Sequence, residues 1–240
     1  MQKNNIDYRK PPYKLSEIII LLISRSILFF ISQLVVFLII LLFLGNNNWV
    51  ESTKYWPLFA LFGGVISLLL LHTTMIRKNE SITIFYKFDK QYILKDIITI
   101  IILLIIIFPL IFISNILGAK LLFSDPAITQ NMMFQKLPIW AIVLTFIFPV
   151  ITGISEIPIY YGFVLPKLSK YIHFTIAVPI VVFFHLLQHC FLPFVFDFKF
   201  IIWRFIMFIP LAIMLAIVIN WRKRLMPYLI IVHILLYPLI

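Results

Sequence analysis

The chain has 240 residues, of which 63% are hydrophobic and only 12% charged, with a formal net charge of +11. A water-soluble domain carries about 25% charged and about 45–50% apolar residues, so this composition excludes a soluble globular protein. The positive charge lies in short loops between apolar runs, as topology signals facing an anionic leaflet do, which argues against a nucleic-acid partner.

Apolar runs close to the ~20 residues that a helix needs to cross hydrocarbon recur along the chain. They predict an all-α, polytopic transmembrane helical bundle forming a single domain over residues 1–240, with about seven spans. The first, 18–44, is long and holds Arg25, so its early turns are expected at the interface with Arg25 snorkelling outward. Its apolar stretch Ile27 to Leu44 is too long for a signal-peptide core. Gly45-Asn46-Asn47-Asn48-Trp49 is not a small-residue cleavage site, so the span is expected to stay as an anchor. The others follow at 56–76, 97–117, 137–165, 173–192, 200–221 and 225–240. The longest loops, 77–96 and 118–136, are too short to fold alone. Cys190 is the single cysteine, so no intrachain disulfide forms.

With these spans the basic residues separate. One side collects Lys3, Arg9, Lys10, Lys14, Arg77, Lys78, Lys87, Lys90, Lys95, Lys167, Lys170, Arg222, Lys223 and Arg224. The other has Lys54, Lys120, Lys136 and Lys199, while Arg25 and Arg204 fall inside spans. The positive-inside rule then predicts a multi-pass protein of the cell membrane with a cytoplasmic N-terminus.

Ionisable groups inside spans are functional candidates by default. Among the nine acidic residues, Asp7, Glu51, Glu80, Asp89, Asp96, Asp125 and Asp197 are expected in loops or at their edges, and Glu17 where the first span starts. Only Glu156 lies well inside an apolar segment. Pro149, Gly153 and Pro158 crowd the same stretch, and the two prolines free the carbonyls of Thr145 and Ile154. Freed backbone groups at membrane depth must be buried in protein or face a hydrated cavity.

His185 and His189, spaced i, i+4, share a helix face, and His233 sits in the last span. At ~1.5 Å per residue, Glu156 and His233 lie roughly 12–17 Å from the basic loops, with His185 and His189 somewhat deeper. Singly, a membrane histidine reads as an interhelical hydrogen bond, about 0.6 kcal/mol each, and His72 and His173 are read so. Arg204 reads as snorkelling or pairing with Asp197, and Tyr160 and Tyr161 as packing residues. Glu156 reads either as a functional carboxylate or as a neutral, purely structural one.

Together these residues carry a resemblance. Glu156-Ile157-Pro158-Ile159-Tyr160-Tyr161-Gly162, then His185-Leu186-Leu187-Gln188-His189, then His233-Ile234-Leu235-Leu236-Tyr237 resemble the CPBP (Abi) family. Its members are similar to CAAX prenyl endopeptidases and to bacteriocin-processing or bacteriocin-immunity proteins, with motifs EExxxR(G), FxxxH and HxxxN/D on separate transmembrane helices. The resemblance covers roughly residues 137–240, the catalytic core helices. Aligned on Gly162, Glu156 stands at the first family glutamate, and His189 and His233 at the motif histidines. The second glutamate is Ile157, the arginine Tyr161, the usual phenylalanine His185, and the Asn/Asp Tyr237.

The resemblance implies an intramembrane endopeptidase in which Glu156 activates water while His189 and His233 assist. Tyr160, Tyr161, His185 and Tyr237 are supporting residues. Loss of the second glutamate together with the arginine reads as removal of a buried pair in one piece, which leaves Tyr160 or Tyr161 to position Glu156. The implied partners are the lipid bilayer and a peptide or membrane-protein substrate. The same resemblance admits a catalytically inactive protein acting by binding, in bacteriocin immunity or peptide export and maturation. A proton- or ion-coupled transporter ranks third, since no repeat symmetry is visible. No cofactor is expected. A divalent metal on His185, His189, His233 and Glu156 ranks behind a metal-free site, because no H-E-x-x-H is present. Cys190 as nucleophile ranks lower, because adjacent helix positions point about 100° apart and His189 would not serve it.

Overall fold

The computed structural model describes residues 13–236 except 46, 124, 126 and 134–138. Among these residues every regular element is helical. Helix α1 (Leu15–Leu44) opens where the Glu17 carboxylate accepts the Lys14 N–H at 2.8 Å, and ends at Gly45, whose φ of 63° is the left-handed cap. The short α2 (Trp49–Thr53) leads to α3 (Trp56–Ile76), which carries Pro57 in its first turn, where no N–H is needed.

Two 3-10 turns, Ile82–Tyr86 and Lys90–Tyr92, precede α4 (Ile93–Leu122). After α5 (Ala127–Met133), α6 (Ile139–Ile157) continues into a π-helical segment, Pro158–Val164, and then α7 (Leu165–Leu168). Helices α8 (Phe174–Cys190), α9 (Phe198–Trp221) and α10 (Met226–Leu236) complete the chain.

Five stretches are long and apolar enough to cross a bilayer: Leu15–Leu44, Trp56–Ile76, Ile82–Leu122, Ile142–Leu168 and Phe198–Trp221. Phe174–Cys190 is apolar but shorter. The fourth stretch is the most enclosed, with 50% of its apolar window buried against 22% in the first and 17% in the third. It lies between α3 and α10, while α9 packs on α4 and α8, and α1 on α3 and α8. Two glycines permit that close approach. A Cβ at Gly64 of α3 would lie 2.7 Å from Ile151, and one at Gly153 of α6 would lie 2.5 Å from Ile234 of α10. The outer helices turn large apolar residues outward, among them Leu94, Ile105, Phe112 and Leu121 on α4. A contiguous face of that kind marks a lipid or partner contact.

Several expectations are corrected. Helix α4 is longer at both ends than the predicted 97–117, and Asp96, expected at a loop edge, is fully buried in its first turn. Both Asp96 oxygens accept from Arg224 Nε, at 2.9 and 3.0 Å. Among the described residues His173 makes no interhelical bond; its Nδ1 accepts the Thr175 N–H and caps α8. Asp197 caps α9 by accepting the Phe200 N–H at 3.0 Å. Arg204 neither snorkels nor pairs with Asp197. It is buried and donates to the carbonyls of His189 and Leu192 (3.2 and 2.9 Å), where the negative end of the α8 dipole favours a cation. Residues 137–138 of the predicted fourth span and 237–240 of the last, Tyr237 included, lie outside the described residues.

Candidate functional site

Glu156 lies one residue before the end of α6 and is buried. The next turn begins with Pro158, which has no N–H to donate, and the helix relaxes there into the wider π form. The carbonyl of Ile154, which an N–H at position 158 would have met, instead accepts the Tyr86 hydroxyl at 2.7 Å. The freed backbone group is thus satisfied by protein, from the 3-10 turn that follows α3.

Three histidines converge on one oxygen of this carboxylate. The Nε2 atoms of His185, His233 and His189 lie 2.8, 3.4 and 3.8 Å from Glu156 Oε1. His185 and His189 reach it from one face of α8, as their spacing requires, and His233 comes from α10.

The other oxygen belongs to Arg25. Its Nη2 lies 3.3 Å from Glu156 Oε2, and the side chain is fully buried, which corrects the snorkelling expectation. The rest of the guanidinium is also engaged. Nε donates to Gln188 Oε1 of α8, and Nη1 donates to Ser155 Oγ of α6 (2.6 Å) and Ser67 Oγ of α3 (3.3 Å). A buried charge persists only when paired and hydrogen-bonded, and Arg25 meets both conditions while tying α1, α3, α6 and α8 together.

Tyr161 works through His185. Its hydroxyl lies between His185 Nδ1 and the carbonyl of Ala212, the latter at 3.0 Å. That hydroxyl has one proton to give. Given to Nδ1, it leaves a neutral His185 with its proton on Nε2, directed at Glu156. Given to Ala212, it makes Nδ1 the donor, and the contact with Glu156 then needs a second proton. The acceptor that Tyr161 chooses is therefore coupled to the tautomer of the histidine nearest the carboxylate.

Tyr160 stacks on the His185 ring (centroids 5.2 Å apart) and donates to the Phe184 carbonyl at 3.3 Å. Among the described residues the two tyrosine hydroxyls bond Phe184, His185 and Ala212 and not Glu156, so the expectation that one of them positions it is corrected: Arg25 and His185 do so. His189 stacks face to face on Phe208, with centroids 3.8 Å apart, and neither of its ring nitrogens has a hydrogen-bond partner among the described residues. His233 also lines a small apolar cavity of about 30 Å³ between α4, α9 and α10.

Glu156, His185 and His189 offer ligand atoms within 4.8 Å of one another, the spacing of a possible metal cluster, with His233 beside them. Any dication bound there would share the carboxylate with the Arg25 guanidinium, which already neutralises it.

The sequence reading missed Arg25, Ser67, Ser155 and Gln188. Ser24-Arg25-Ser26 is a polar triplet in an apolar run, and Arg25 stands ten residues after Leu15. At 1.5 Å per residue that is ~15 Å of depth, the layer reckoned for Glu156. The same depth arithmetic applied to cations would have found it. Comparison with protein-family models, with curated proteins and with solved structures finds no match.

Proposed function

We propose that the chain is an intramembrane endopeptidase of the CPBP/CAAX-protease type. In this reading seven segments cross the cell membrane, the N-terminus is cytoplasmic, and the substrate is a peptide or membrane protein presented at the bilayer. The observation that carries it is the convergence of His185, His189 and His233 on Glu156 Oε1, with Oε2 anchored by Arg25. With Oε2 held by Arg25, Oε1 is the oxygen that acts on a water, through the lone pair that His185 does not occupy.

Glu156 takes a proton from water while the hydroxyl adds to the scissile carbonyl carbon. His189 and His233 donate to the oxyanion so formed. The intermediate collapses with rupture of the C–N bond, and the proton held by Glu156 passes to the leaving amine. His185, in contact with Tyr161, fixes the carboxylate through the cycle. The reading uses no cofactor.

The test is cleavage by protein reconstituted in liposomes. Glu156→Gln is expected to abolish it, and His189→Ala and His233→Ala to slow it by about 10²-fold or more. Persistent cleavage by Glu156→Gln removes Glu156 as the base. One observation favours a second reading, a catalytically inactive protein acting by binding in immunity or peptide export: both carboxylate oxygens are engaged and the group is only 1% exposed. There, Glu156→Gln keeps the phenotype of the parent.

A further inference from the structure

At the end of the bundle where α7 finishes and α10 begins, a second cavity of about 390 Å³ opens behind the π segment. Its lining includes Lys87, Lys167, Lys170, Lys223 and Arg224, with Glu80 as the only carboxylate among the described residues. These cations come from three separate stretches of chain: after α3, around α7, and between α9 and α10. The positive-inside rule explains cations in each of those loops. It does not require them to meet around one concavity, where their mutual repulsion is unfavourable unless an anion relieves it.

Two of the five are held in place. Lys167 Nζ lies 3.1 Å from both oxygens of Glu80 and over the Tyr13 ring at 4.4 Å. Arg224 is gripped from below by the fully buried Asp96, which takes its Nε alone. Among the described residues no carboxylate takes the two terminal NH₂ groups of Arg224, so a planar pair of donors is left for an anion. Lys87, Lys170 and Lys223 are exposed, with no carboxylate within ion-pair distance among the described residues.

We infer that this basic cavity is a binding site for the phosphate of an anionic phospholipid headgroup. Apolar side chains decide for a lipid over a free anion. Ile84 lines the cavity and is exposed, and exposed Phe88 stands nearby, edge-on to Tyr228, where glycerol and the first acyl carbons of a lipid would lie. Basic pockets between membrane helices at the headgroup level take anionic lipids by this combination of charge and apolar surface. Tyr161, Gly162 and Phe163 form part of the cavity wall, so an occupied site braces the π segment whose Tyr161 touches His185. The inference rests on membrane embedding and stands or falls independently of the peptidase reading.

Full-length protein released from micelles containing graded phosphatidylglycerol and phosphatidylcholine, read by native mass spectrometry, tests it. The wild-type chain is expected to retain phosphatidylglycerol at least about tenfold better, with the preference falling as salt rises from about 0.05 to about 0.5 M. Lys87→Gln, Lys170→Gln and Lys223→Gln in one chain should abolish the preference, whereas Lys120→Gln with Lys199→Gln, at the opposite end, should leave it intact. Equal retention of the two lipids by wild type overturns the site, as does a preference that survives the triple substitution. Full displacement of the lipid by millimolar inorganic phosphate overturns the assignment to a lipid headgroup.

Discussion

Replacing Arg25 by methionine keeps a long, flexible, apolar stem but removes the guanidinium. Four acceptors lose it at once: Gln188 Oε1, Ser155 Oγ, Ser67 Oγ and Glu156 Oε2. The two serines cost little, because Ser67 and Ser155 also bond carbonyls of their own helices, while the buried Gln188 loses the donor to its Oε1 at a further cost of about 1–3 kcal/mol. The dominant effect is the carboxylate, left buried with histidines alone for company. Removing one partner of a buried ion pair costs about 3–5 kcal/mol. If that reasoning holds, neutralising the orphan should recover much of the loss. The double variant Arg25→Met, Glu156→Gln is therefore expected to be more stable than Arg25→Met by at least about 2 kcal/mol. The assay is equilibrium unfolding in mixed micelles with tryptophan fluorescence as the signal, run on both single variants and the double. A loss below about 1 kcal/mol in Arg25→Met would refute the pairing argument, as would simple additivity in the double.

Two further outcomes test the packing that carries the site. Tyr86→Phe strands the Ile154 carbonyl beside Pro158 and is expected to destabilise by about 1–3 kcal/mol in the same unfolding assay, with Tyr92→Phe as a near-neutral control. Gly153→Val places a branched side chain against Ile234 and is expected to cost about 1–3 kcal/mol. Adding Ile234→Ala should return most of that loss; no recovery would mean that the α6–α10 contact is not what Gly153 serves.

What the sequence made legible follows from one-dimensional physics. Long apolar runs can satisfy their backbone in hydrocarbon only as helices, so helices appear where the runs are. Helical spacing places His185 and His189 on one face without any structure, and counting residues from a loop gives a depth for Glu156. Proline chemistry points to an unsatisfied carbonyl at Ile154, although nothing local says that Tyr86, 68 residues earlier, supplies the donor. Partner choice between helices is a tertiary property, and that is where the reading failed. Arg25 and Glu156 are 131 residues apart, Arg224 and Asp96 are 128 apart, and each arginine had an adequate local explanation in snorkelling or topology. Burial overrode snorkelling for Arg25, whereas Arg224 stays in the loop between α9 and α10 and from there also serves the buried Asp96. The π segment was equally hidden, because Pro158 announces a disturbance and not its geometry.

The separation of Arg25 from Glu156 also has a meaning in time. Synthesis proceeds from the N-terminus at ~5–20 residues per second, so the arginine leaves the ribosome about 7–26 s before the carboxylate that will neutralise it. Over that interval the first helix carries an unpartnered cation, and an arginine at the centre of a bilayer costs ~2.5–3.5 kcal/mol on the insertion scale. In a bilayer the apolar residues of this 30-residue helix would offset that cost until the fourth long stretch is made. The Arg25–Glu156 ion pair thus forms only when helices made far apart in time have found one another.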